Sequence, residues 1–108
     1  MWDSIKYDAQ SYCCEHFLID AYRHYTGIDL SPKLLTSGFF NALNLRQFAP
    51  VDKPNQHTIV LFRTRGKAHV GLWVDGRVLH LEPQGVVWQP LEYIKRDFDR
   101  VAFYELSK

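Results

Sequence analysis

The sequence predicts an α+β fold, with N-terminal helices followed by an antiparallel β-sheet or small barrel. Two periodicities and one turn predict it. Cys14, Phe17, Leu18, Ala21, Tyr22 and Tyr25 recur three and four residues apart, which lays one apolar stripe along a helix. After His57 the apolar residues gather instead in short, β-branched runs. Asp75-Gly76 divides two of these runs, the signature of a two-residue hairpin turn. Helices segregated from strands in this way give an α+β layout. At 108 residues the chain is read as one domain, residues 1–108.

Each element follows from its residues. Residues 1–12 show no period and read as an extended lead-in. The first helix opens at Cys14 and stops at Gly27, a residue suited to the left-handed C-cap. Ser31-Pro32 then offers an N-cap followed by a proline at the first helical position, so a shorter helix is expected over 32–44, weakened by Gly38. Residues 49–57, with two prolines and an asparagine, read as a loop. Strands are expected at Thr58–Arg63, Ala68–Val74, Arg77–Leu81, Val86–Gln89 and Val101–Leu106, with a helical turn within Pro90–Asp99.

Composition excludes several function classes. Apolar residues make up 46% and aromatic residues 15% of the chain, enough for a core without disulfide staples. Thirteen basic and twelve acidic residues nearly cancel, and no basic stripe is interleaved with aromatics, so no nucleic-acid partner is expected. The start, Met1 to Lys6, lacks the basic and apolar regions of a signal peptide. The longest strongly apolar stretches, Ile59–Phe62 and Val70–Val74, are too short to span a bilayer. The expectation is a chain made in the cytoplasm, with no membrane partner, that reaches any outside target through another machine or after loss of a signal that preceded this numbering. The two cysteines, Cys13 and Cys14, are neighbours, a spacing that disfavours a mutual disulfide and forms no CxxC pattern.

Chemistry concentrates at Cys14 and the hairpin. A thiol opening a helix faces unpaired backbone N–H groups and the positive end of the dipole. Such a setting favours the thiolate and supplies donors for an oxyanion; the place of Cys14 on the apolar stripe equally fits a small buried thiol of the core. In the hairpin, a two-residue turn pairs Val74 with Arg77, Trp73 with Val78, Leu72 with Leu79, Gly71 with His80, Val70 with Leu81 and His69 with Glu82. Alternation then puts His69, Gly71, Trp73, Val78, His80 and Glu82 on one face. His80 is diagonal to His69 across a glycine, and Glu82 is opposite, so either can orient the His69 ring. A base held by a third polar group is what an activated cysteine needs. A zinc site from Cys14, His69 and His80 is a further reading of the same residues. His16, His24 and His57 read as surface or supporting residues. The Arg63, Arg65 and Lys67 run reads as a solvated turn that can also meet substrate carboxylates.

Cys14-Glu15-His16-Phe17, with Tyr22 and Gly27 after it, resembles the helix-opening segment of NlpC-type papain-like cysteine peptidases. The stretch from His69 to His80 resembles that family's second block. The resemblance implies a papain-like fold, with Cys14 as nucleophile, His69 as base and His80 as the orienting residue, and neither metal nor organic cofactor. It implies hydrolysis of peptide bonds in peptidoglycan stems, and, for short members without a signal, a place in phage tails or secretion machines. Two positions depart from the family pattern. Cys13 stands where an aspartate is usual, and the upstream tyrosine has only Trp2 or Tyr7 to match it. Cys-Glu-His-Phe and His-x-x-Leu-Trp-Val-Asp-Gly are also similar to lecithin:retinol acyltransferase-like thiol enzymes, in which the histidine block precedes the cysteine. A structural hub or plug with a vestigial triad is the alternative outside enzymology.

Overall fold

The computed structural model describes residues 2–34 and 48–107. Helix α1 spans Cys14–Thr26, and Gly27 closes it in the left-handed region at φ 78°, its N–H donating to the Arg23 carbonyl at 2.8 Å. That conformation is open to glycine at no steric cost, so the chain stops turning where the sequence places the glycine. The expected stripe is the buried face: Phe17, Leu18, Ala21 and Tyr22 are buried, Ile19 joins them, and Cys14 and Tyr25 pack at their edge. Helix α2 spans Ser31–Leu34, and residues 35–44 of the expected 32–44 lie outside the described residues.

Six strands follow: β1 Phe48–Val51, β2 Ile59–Thr64, β3 Lys67–Val74, β4 Arg77–Glu82, β5 Gly85–Gln89 and β6 Arg100–Leu106. A single turn of helix, α3 Leu91–Lys95, joins β5 to β6. All neighbours are antiparallel, in the order β1-β6-β2-β3-β4-β5. Strand β1 corrects the expected loop over 49–57. It is four residues long and contains Pro50, which disguises it; as an edge strand bonded to β6 alone it tolerates a residue without an N–H.

The sheet is covered on both faces. On one, Ile59, Leu61, Val70, Leu72, Val74, Leu79 and Leu81 meet α1. On the other, Val60, Phe62 and Val78 meet Ile94 of α3, with Trp73 and Phe98 beside them. Strand β2 therefore reads as the unbroken apolar run Ile59-Val60-Leu61-Phe62. Each such side chain contributes about 1.5–3 kcal/mol on burial, so the first layer holds the sheet against α1 and the second holds it against α3.

The hairpin forms as its sequence demands. Asp75 and Gly76 both have positive φ, 49° and 84°, and Val74 pairs with Arg77. Gln56 clamps the turn, accepting from the Asp75 N–H at 2.8 Å and donating to its carboxylate at 2.7 Å. Regular pairing of β3 with β4 ends at Leu72–Leu79, short of the expected Gly71–His80, Val70–Leu81 and His69–Glu82 pairs.

Candidate active site

The early end of that pairing creates a place for a thiol. In this hairpin Val74–Arg77 and Leu72–Leu79 are the hydrogen-bonded pairs, so even-numbered residues of β3 aim their N–H groups at β4. Val70 aims its N–H the same way, beyond the last pair. It donates instead to the sulfur of Cys14, which α1 brings to that point. The Glu15 N–H, in the first turn of α1, also faces this sulfur.

The residue before it caps the helix. The Cys13 N–H donates to Nδ1 of His16 at 3.1 Å, and the Cys13 sulfur faces the His16 N–H in return. This is a capping box with a thiol in place of the usual hydroxyl. An aspartate would fill the same position by the same physics. The Cys13 thiol also donates to Glu15 Oε1 at 3.3 Å.

On the α3 side of the sheet the two histidines meet. His69 Nε2 lies 2.8 Å from His80 Nδ1, and His80 Nε2 lies 2.9 Å from Gln89 Oε1. The carbonyl oxygen of Gln89 can only accept, so His80 carries its proton on Nε2. His80 Nδ1 is then an acceptor, and the His69 proton sits on Nε2. The free lone pair of His69 is left on Nδ1, which makes no hydrogen bond among the described residues. Gly71 makes this approach possible. A Cβ there would stand 2.5 Å from Val78 Cγ1 and 3.1 Å from His80 Cβ. Phe98 stacks on the His69 ring at 6.1 Å, and Phe62 flanks it.

Glu82 adds a negative group. Its Oε1 lies 3.3 Å from His80 Nδ1 and 3.9 Å from His69 Nε2, without a hydrogen bond to either. Burial lowers the pKa of both histidines, that of His69 to about 3, with His80 and Lys67 adding to the effect. Burial also raises the pKa of Glu82. Both rings are therefore neutral at neutral pH.

The thiol differs from its expectation. The helix N-terminus was expected to favour the thiolate, yet burial pushes Cys14 up to about 12, against the opposing N–H donors of Val70 and Glu15. Desolvation outweighs the dipole because the partly buried Cys14 packs against the core. At rest the centre is a neutral thiol and a neutral imidazole, and no hydrogen bond joins Cys14 to His69 among the described residues.

Thus the structure brings His69, His80 and Glu82 together on one face and seats Cys14 on the backbone of Val70, the residue next to His69. Of these, His80 rather than Glu82 makes the hydrogen bond to His69. The zinc set of Cys14, His69 and His80, the further reading of these residues, is not assembled: among the described residues the histidines cluster with Glu82, and His16 clusters with Cys13 and Glu15. The two candidates for the upstream tyrosine lie elsewhere. Trp2 packs on Phe17 and His24, and Tyr7 is exposed. His57 stacks on Tyr25, and the Lys67 ammonium sits over the Phe98 ring. Sequence reasoning missed Gln89. Its signal was the register across Pro83-Gln84, which pairs Gln89 with Val78 and sets it diagonal to His80. It also missed Tyr12, which stacks on His16 and donates to Asp20 from its hydroxyl.

No helix of the described residues is long and apolar enough to cross a membrane. No family model matches the chain, and no curated protein matches it.

Proposed function

We propose that the chain is a papain-like cysteine hydrolase of the NlpC type that cleaves peptide bonds in peptidoglycan stems, as part of a phage tail or a secreted system. The observation that carries this reading is the His69–His80–Gln89 hydrogen-bond relay beside the Cys14 seat. The relay leaves His69 Nδ1 as a proton acceptor, which is what a thiol nucleophile requires.

In the proposed reaction the Cys14 S–H proton passes to His69 Nδ1 as the sulfur attacks the scissile carbonyl. The C–N bond breaks, the imidazolium returns its proton to the leaving amine, and a thioester remains on Cys14. Water, deprotonated by His69, then releases the acid. Backbone N–H groups at the start of α1 stabilise the oxyanion. The Glu82 carboxylate and the His80 ring stabilise the transient imidazolium. The positive charge of Arg63, Arg65 and Lys67, near His69 in the chain, is the proposed attraction for the carboxylates of stem peptides.

A second reading, a structural hub with a vestigial triad, is favoured by one observation: thiol and imidazole are both neutral at rest and share no hydrogen bond. Peptidoglycan digestion separates the two. Purified protein is expected to release new amines, with fragments identified by mass spectrometry, and Cys14→Ser and His69→Ala are each expected to abolish the release. Intact peptidoglycan after prolonged incubation supports the hub.

A further inference from the structure

In the resting state, with both rings neutral, the relay gives the Glu82 carboxylate no role. It approaches both rings without a hydrogen bond, although a carboxylate beside an acceptor nitrogen gains nothing from the contact. The three atoms His69 Nε2, His80 Nδ1 and Glu82 Oε1 form a triangle with sides of 2.8, 3.3 and 3.9 Å. Zinc bonds of about 2.0–2.1 Å in tetrahedral geometry require ligand atoms about 3.3–3.4 Å apart, within the span of these sides. The ring behind is already fixed as metal sites require: His80 donates its other N–H to a carbonyl oxygen, that of Gln89, which fixes its tautomer and orientation. His80 is fully buried, Glu82 is one-third exposed, and a path from solvent therefore runs past the carboxylate.

We propose that His69 Nε2, His80 Nδ1 and Glu82 Oε1 form a binding site for a zinc-like divalent ion, and that filling it removes His69 as a base. Two neutral imidazoles and one carboxylate match the donor preference of zinc, and the fourth position stays open to water. Binding replaces the His69–His80 hydrogen bond. The His69 proton must leave Nε2, and it is taken up on Nδ1, so the ring stays neutral with no net proton released. Nδ1 is the atom the proposed hydrolysis uses, and its lone pair is then lost. The Lys67 ammonium, which acts on both His69 and Glu82, opposes the ion, and Asp97 beside Glu82 supports it. Lys67 is exposed, and its ammonium is held over the Phe98 ring. The metal site stands on geometry alone; its inhibitory effect rests on the proposed catalytic reading.

The test uses the full chain with both thiols removed by Cys13→Ala and Cys14→Ser, titrated with zinc chloride by calorimetry. The expected result is one ion per chain and a rise in Tm on zinc addition. Glu82→Gln in the same background is expected to weaken binding about tenfold or more, while far-UV circular dichroism shows the fold retained. Imidazole nitrogen NMR is expected to show the His69 proton moving from Nε2 to Nδ1. Absence of zinc binding, binding that disappears with the thiols, or equal affinity in Glu82→Gln overturns the site. In the native chain, zinc is expected to stop peptide hydrolysis and a chelator to restore it; hydrolysis that proceeds with the site filled overturns the inhibitory role. If the native chain never hydrolyses peptide, the catalytic reading fails while calorimetry still decides the metal site.

Discussion

His69 is set in one protonation state by a partner two strands away. Gln89 fixes the His80 proton, His80 fixes the His69 proton, and Nδ1 of His69 is left basic. Gln89→Leu removes the acceptor and frees His80 to adopt either tautomer. Activity is expected to fall severalfold, while Gln89→Asn, too short to reach, behaves alike; kcat measured against KM distinguishes this from lost substrate binding. The cysteines give a second residue-level expectation. Cys14 is held near 12 and packs on the core, whereas Cys13 lies outside that cluster. Without substrate, iodoacetamide at pH 7 is therefore expected to modify Cys13 first, the reverse of what a helix-opening thiol suggests by sequence. Peptide mapping at short times reads the order, and earlier modification of Cys14 would mean that its thiolate is already populated.

At the scale of elements, the centre depends on β3 and β4 running close at Gly71 and parting at Val70. Gly71→Ala drives a Cβ into Val78 and crowds His80, so it is expected to cost about 1–3 kcal/mol in denaturant unfolding and to separate the two rings. An unchanged midpoint with full activity would contradict that role. Much of this geometry was legible. Asp75-Gly76 dictated the turn, and alternation from it put His69, His80 and Glu82 on one face. The helix limits followed from its stripe and from Gly27. Where β3 parts from β4 was not legible, because it depends on α1 delivering a sulfur to the Val70 N–H. Strand β1 was hidden by Pro50, since a proline reads as a breaker unless the strand is known to lie at an edge. Sequence left the state of Cys14 open between thiolate and core thiol for a related reason: a helix dipole can be read from sequence, but the desolvation that outweighs it comes from packing.

For the molecule as a whole, two neutral histidines, His80 buried and His69 partly buried, tie stability to pH. Their folded pKa values lie below the usual 6.5, so between that value and the folded pKa the unfolded chain binds more protons. Unfolding free energy then falls as pH drops from 6.5 toward about 3, at up to about 1.4 kcal/mol per pH unit for His69. Glu82, with its pKa raised, works in the opposite direction over part of the range. The comparison that isolates His69 is therefore denaturant unfolding of the parent against His69→Gln from pH 7 to pH 4, with a shallower decline expected in the variant. Identical slopes would mean that His69 is not held neutral by the fold. The proposed function rests on one claim, that Cys14 attacks a peptide carbonyl with His69 as its base. A stem peptide carrying an electrophile at the scissile carbonyl tests it directly, with the adduct weighed on the intact protein and mapped to its residue. The account predicts one adduct per chain, on Cys14, formed at undiminished rate in Cys13→Ala and lost in His69→Ala; an adduct on Cys13, or one on Cys14 that forms as fast without His69, would contradict it.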